Sequence, residues 1–241
     1  MAKPCPNNLS EAIEDLDGLL GRSKARFDEL VARRDSGNIR DQVATISLAR
    51  ILKYTDAFLL LVRNGYGEPA ACLLRSVFEG YLWIRWSLLS AENAQTYFDS
   101  GKGEGIRLLE KLISRGLFEA RDRSSGKVPD KDLIRTMLKD ELKGSRPPKW
   151  DDMAKQAGLS DIFVLIYPML SGMAHGSLLF LGERMERGTV SPDANWDSIE
   201  PFLPMAHNLV LDSLRVTEHW ILHRENQPPP AWTSRDSFGR E

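Results

Sequence analysis

Apolar positions recur along almost the whole chain with the 3.6-residue period of the α-helix, and no segment carries the two-residue alternation of a half-buried strand. Leu9, Ile13, Leu16, Leu20, Phe27, Leu30 and Val31 fall on one stripe and predict a first helix to about Arg34, with Asn8 and Glu11 as a capping box and Ser36-Gly37-Asn38 as its end. A second helix is predicted from about Ile39 to Asn64, carrying Val43, Ile46, Ile51, Phe58 and Leu61, and stopped by Gly65-Tyr66-Gly67. The short linker makes these two an antiparallel hairpin. The third segment, Glu68 to Leu89, is apolar around nearly its whole circumference, through Leu73, Leu74, Val77, Phe78, Tyr81, Leu82, Trp83, Ile84, Trp86 and Leu88. A helix with no polar face belongs at the centre of a bundle.

Beyond it, Glu92 to Asp99 reads as a short helix, Gly101-Lys-Gly-Glu-Gly105 as a flexible turn, and Ile106 to Ala120 as a further helix. Residues 121–130 and 144–148 read as polar loops around a modest helix from Lys131 to Leu142. Asp151 to Ala157 predicts a short helix closed by Gly158. Ser160 or Asp161 opens an apolar segment in which Pro168 is expected to end or kink the first turns before a helix to about Glu186. Asp193 to Glu200 begins the last element, whose helix proper is expected from about Met205 to Glu225. The expected architecture is one all-α domain over residues 1–226, a bundle of about five long helices plus short ones, followed by a polar, flexible tail at 227–241.

Composition narrows the functional classes. The 241 residues carry 32 Lys+Arg against 34 Asp+Glu, a formal charge of −2, with 42% hydrophobic and 27% charged residues. This is a globular composition without the basic excess that drives sequence-independent nucleic-acid binding. No run reaches the length of a membrane span, and the start of the chain lacks a basic region followed by an apolar core, so a cytoplasmic protein is expected. Cys5 and Cys72 are too few for a disulfide framework or a structural zinc site. Phosphate-loop, dinucleotide-binding and nucleophile-elbow glycine motifs are missing, and no cofactor or metal is expected.

Three polar constellations interrupt the apolar pattern. Arg75 and Glu79 share one arc of the central helix with Cys72, Leu82, Trp83 and Trp86. A carboxylate there is costly to desolvate unless paired, and Arg75 at i,i+4 is its natural partner. The pair reads either as a packing device or as the lining of a cleft. Tyr167, Ser171 and His175 recur every four residues on an otherwise apolar segment, with Gly172 and Gly176 thinning the backbone beside the histidine. A His175–Glu79 hydrogen bond between two central helices would satisfy both groups and orient the imidazole for acid–base work. Asn208, Asp212, Arg215, His219 and His223 form a stripe on the last helix, expected to be a solvated face; its His-x3-His spacing lacks the glutamate of a metalloprotease.

The pairing of Leu73-Leu-Arg-Ser-Val-Phe-Glu79 and Trp83 with Tyr167-x3-Ser171-x3-His175-Gly-Ser177 resembles a bacterial all-α family of unknown function, over roughly Leu48 to Glu186. That family looks related to HEPN-type helical domains, many of them metal-independent ribonucleases of toxin–antitoxin and phage-defence systems. The resemblance implies Arg75, Glu79, Tyr167, Ser171 and His175 as catalytic candidates. The Arg-x4-6-His pattern of those nucleases is absent here: no arginine precedes His175 at that distance, and Arg215 lies only four residues before His219. Two readings follow. In the first, which the missing motif and the charge favour, the protein is an interaction or regulatory module with a protein partner or a second copy of itself, in a stress or defence setting. In the alternative it is an endoribonuclease in which His175 acts on a 2′-hydroxyl, Glu79 orients it and Arg75 stabilises the phosphate.

Overall fold

The computed structural model describes residues 6–117, 136, 148–174 and 199–223. Among these the chain forms seven helices: α1 (Asn7–Arg33), α2 (Ile39–Arg63), α3 (Gly67–Ser87), α4 (Ala91–Ser114), α5 (Trp150–Gln156), α6 (Ser160–Ala174) and α7 (Phe202–His223). Five of them run 21 residues or more, α1, α2, α3 and α7 as the periodicity predicted and α4 where two shorter helices were expected, and no strand occurs among the described residues. The protein is an all-α bundle. The expected loops at 121–130 and 144–147, the helix from Lys131 apart from the helical Thr136, the continuation of the helix beyond Ala174 to Glu186, and the tail at 227–241 lie outside the described residues.

The nearly continuous apolar circumference of α3 has the predicted consequence. Its side chains meet α2 on one side, α6 and α7 on others, and α4 and α5 towards its C-terminal end. Leu74, Val77, Phe78, Tyr81, Leu82 and Ile84 are all fully buried. The α1–α2 hairpin closes against α7, so α1, α2, α3 and α7 enclose the main core. Tight packing of α2 on α3 depends on Gly80, where a Cβ would stand 2.9 Å from Ile51 Cγ1.

Several boundaries differ from the sequence reading. α1 begins at Asn7 behind Pro6, without a side-chain cap, so Asn8 and Glu11 do not form the expected capping box. α4 runs without a break through Gly101, Gly103 and Gly105, where a flexible turn was expected. Glycine in a helix costs about 1 kcal/mol relative to alanine. Ser90, which accepts from the Asn93 amide at 3.0 Å, and burial of Ala94, Ser100, Gly103 and Ile113 hold the helix together across that weak stretch. Pro168 does not end α6. The carbonyl left without its i+4 donor belongs to Val164, and both residues are exposed, so water can satisfy it. α7 starts at Phe202 rather than Met205, with Pro204 in the first turn, where a missing N–H loses no helical bond.

Candidate functional site

The site is built where α3 faces α6. Arg75 Nε donates to Glu79 Oε1 at 3.0 Å, one turn along the same helix, and Arg75 Nη2 donates to the Tyr167 hydroxyl at 3.0 Å from across the groove. The guanidinium also lies over the Tyr167 ring, 5.2 Å from its centroid, a cation–π placement. The side chains of Arg75 and Glu79 are only 20% and 18% exposed. Burial opposes the Arg75 charge, but the hydrogen bond to Glu79 and the nearby Tyr167 and Glu79 oxygens outweigh it and raise the pKa further. The arginine is a permanent cation held by two oxygens and a π-face.

Tyr167 is itself held in an aromatic stack. Phe163 lies parallel to it at 4.7 Å, and Phe78 and Trp150 contact it at 6.4 and 6.2 Å. These rings fix the phenol relative to α3 and so fix where Arg75 points. Ser171 lies one turn beyond Tyr167 on α6 and is half-buried. His175 lies outside the described residues, so of the five candidates the structure brings together Arg75, Glu79 and Tyr167. Cys72, also on this arc, is half-buried rather than a full core residue.

Glu79 also faces a second space. A cleft of about 490 Å³ opens beside it, bounded by α3 through Trp83, by α4 through Tyr97 to Glu104, by Arg50 of α2, and by Pro148 and Trp150 at the start of α5. Trp83 is the hub of its aromatic lining: Tyr97 and Trp150 stand edge-to-face to it at 5.0 and 5.8 Å, with interplanar angles of 80° and 71°. Periodicity placed Trp83 on the apolar central helix, on the same arc as Arg75 and Glu79. Its two partners come from other helices, and nothing in the local spacing of either predicts the meeting.

The stripe on α7 is not the uniformly solvated face expected of it. Asp212 turns inward: it accepts from the Tyr81 hydroxyl and lies 4.0 Å from Arg85 Nη1, while Arg85 is only 4% exposed. Asn208 and His219 are half-buried, and Arg215 and His223 are exposed. The His219 and His223 rings are 5.1 Å apart, but no group of three or more His, Cys, Asp or Glu side chains that could hold a metal occurs among the described residues. Sequence reasoning missed Arg85, whose signal was a charge between Trp83 and Trp86 on a helix with no polar face.

Burial, and then the Asp212 carboxylate, push the Tyr81 phenol well above the ordinary tyrosine range. The sign of the linkage is set by that upward shift. Below about pH 10 the phenol is protonated in both folded and unfolded chains, and its stabilising contribution is complete. Above that the unfolded chain ionises while the folded one does not, and stability falls as pH rises. Tyr81→Phe is therefore expected to lower stability at neutral pH by about 1–2 kcal/mol and to flatten its decline above pH ~10 relative to wild type. Urea titrations of both proteins from neutral to alkaline pH measure the difference; parallel profiles would show that Tyr81 does not titrate as inferred.

Residues 41–189, more than half of the chain, match DUF5677, a family of unknown function. The chain belongs to this family. No curated protein and no solved structure matches it. The DUF5677 region contains Arg75, Glu79, the aromatic cleft, Tyr167, Ser171 and His175, and excludes the α7 stripe. No helix among the described residues is long and apolar enough to cross a membrane.

Proposed function

We propose that this DUF5677 protein is a non-catalytic interaction or regulatory module in which the Arg75–Glu79–Tyr167 cluster locks α6 onto the central helix. The observation that carries this reading is the commitment of Arg75. An arginine that stabilises a phosphate in a transition state presents its fork to the substrate. Here Nε goes to Glu79, Nη2 goes to Tyr167, and one face of the guanidinium is covered by the Tyr167 ring. Such a pair specifies how two helices meet. Val164 and Leu165, adjacent on α6 and 68% and 74% exposed, support a protein partner, either a different chain or a second copy. The resemblance to HEPN-type domains adds stress or phage defence as the setting.

The same resemblance supplies the competing reading, a metal-independent endoribonuclease using His175 with Arg75 and Glu79. One comparison separates the two. Wild type, Arg75→Ala and His175→Ala are incubated with a fluorescent single-stranded RNA, and their melting temperatures are recorded. The module reading expects no cleavage above background in any of the three and a loss of several degrees in Tm for Arg75→Ala, since its removal strands the half-buried Glu79. Cleavage by wild type that disappears in His175→Ala would sink it.

A further inference from the structure

The aromatic cleft shares Glu79 and Trp150 with the cluster that locks α6 onto α3 but extends beyond it to α2 and α4, and its lining is chemically graded. At its inner end stands a carboxylate that is only 18% exposed and accepts from Arg75 Nε. Its middle is aromatic, with Trp83, only 8% exposed, as a floor and the half-buried Tyr97 and Trp150 as two steep walls. At its mouth are Arg50 of α2, lying 5.3 Å from the centroid of the Tyr54 ring, with Lys102 and Glu104 of α4, all exposed. Among the described residues the mouth carries two positive charges and one negative, a net +1, which Glu79 balances deeper in the cleft.

Each zone selects a property of the occupant. Steep aromatic walls favour a flat ring that stacks on one of them. An acceptor-only group at the inner end requires hydrogen-bond donors on the leading edge of that ring. The net positive mouth favours a single anionic substituent trailing outward. The volume, about 490 Å³, lies within the range of pockets that enclose one small organic ligand (~300–1,000 Å³) and leaves little room for a chain of nucleotides. Among common biological ring systems guanine fits these conditions best, because its N1–H and N2 amino group place two adjacent donors on one edge. Adenine offers an unprotonated N1 beside its amino group, and that lone pair would face the carboxylate. Uracil flanks its one N–H with two carbonyls.

We infer that this cleft is a binding site for a guanine mononucleotide, with the base against Trp83, Tyr97 and Trp150, its donor edge on Glu79 and its phosphate between Arg50 and Lys102. The inference goes beyond the module reading and does not depend on it: a nucleotide held here would be a signal or an effector whatever partner the protein has. Glu79 has a second acceptor oxygen and several lone-pair directions, so the bond from Arg75 and a base edge can be accepted together, with Arg75 acting as the group that positions the carboxylate.

Isothermal titration of the full-length protein with GMP, AMP, UMP, guanosine and inorganic phosphate tests the inference, with tryptophan fluorescence as a second readout because Trp83 and Trp150 line the site. GMP is expected to bind at least about tenfold more tightly than AMP or UMP. Guanosine should bind more weakly than GMP, and phosphate alone should leave the fluorescence unchanged. Glu79→Gln keeps the side-chain volume and an oxygen for Arg75 but brings an amide donor into the site. It should cost GMP about tenfold or more while retaining the helical circular dichroism of the wild type. Lys102→Ala, on an exposed position, should weaken GMP but not guanosine. An RNA tetramer with one internal guanosine should bind more weakly than GMP. The inference is overturned if GMP gives no heat and no fluorescence change in the millimolar range, if AMP or UMP binds as tightly as GMP, if Glu79→Gln and Lys102→Ala bind GMP as wild type does, or if the RNA binds as tightly as the free nucleotide.

Discussion

Gly80→Leu is expected to abolish cooperative folding, or to cost more than about 4 kcal/mol, a large share of the ~5–15 kcal/mol by which domains are stable. The reason is the closeness of α2 to α3 at this point. A Cβ built on Gly80 stands 2.9 Å from Ile51 Cγ1 and 3.4 Å from Cδ1, and 3.7 Å from the Ser47 carbonyl oxygen, part of a backbone that cannot rotate away. Ile51 is itself fully buried, so it has no empty space to enter. Gly80→Ala should be milder, about 1–2 kcal/mol, because overpacking is partly offset by alanine's better helix propensity. The pair Gly80→Ala with Ile51→Val, which trims the contacted side chain, should be less destabilised than the sum of the single changes. Chemical denaturation of the four proteins measures that coupling. Additivity would mean that the contact does not limit how closely the helices approach.

Asp41→Ala is expected to cost about 3 kcal/mol. The Asp41 carboxylate is fully buried in the first turn of α2. It accepts from the Trp220 indole N–H at 2.8 Å and from the Asp35 amide at 2.8 Å, tying α7 and the α1–α2 connection to one point. Hydrogen bonds to a charged acceptor contribute ~1.5–3 kcal/mol each, and a buried donor left without an acceptor loses its hydration as well. Asp41→Asn keeps one oxygen but, because the two bonds go to different oxygens, turns its NH2 group onto the other N–H donor, so it should cost nearly as much as Asp41→Ala. The position near the helix N-terminus also favours a negative charge there, and the amide gives that up. Trp220 fluorescence through urea unfolding would follow both variants. Equal stability of Asp41→Ala and wild type would refute the assigned bonds.

These two positions mark the limit of what periodicity reveals. The Arg75–Glu79 pair was legible because both residues lie on one helix one turn apart, where geometry is local. Tyr167 was singled out by its spacing with Ser171 and His175, but its bond goes to Arg75, 92 residues away. The imidazole–carboxylate pairing expected of His175 and Glu79 falls outside the described residues. Asp212 was assigned to a solvated stripe because its neighbours on α7 are polar. Its partner Tyr81 is 131 residues distant and looked like one more ring on an apolar helix. Gly101 to Gly105 was read as a turn because glycine propensity is a local signal, and packing of α4 on α2 and α3 overrode it.

By itself the sequence determined the all-α class, the long helices α1, α2, α3 and α7, the central place of α3, and the pairing of Arg75 with Glu79. Each of these follows from the 3.6-residue repeat, because burial of an apolar stripe is a property of one helix and needs no knowledge of its neighbour. Only the tertiary structure decided that Tyr167 completes the Arg75 cluster, that Trp83 meets Tyr97 and Trp150 around a cleft, and that the half-buried Asp212 accepts from Tyr81. Those contacts depend on how far each helix is rotated and shifted against the next. That is fixed by the summed packing of many side chains, with Gly80 allowing the closest approach, and no short stretch of sequence encodes it.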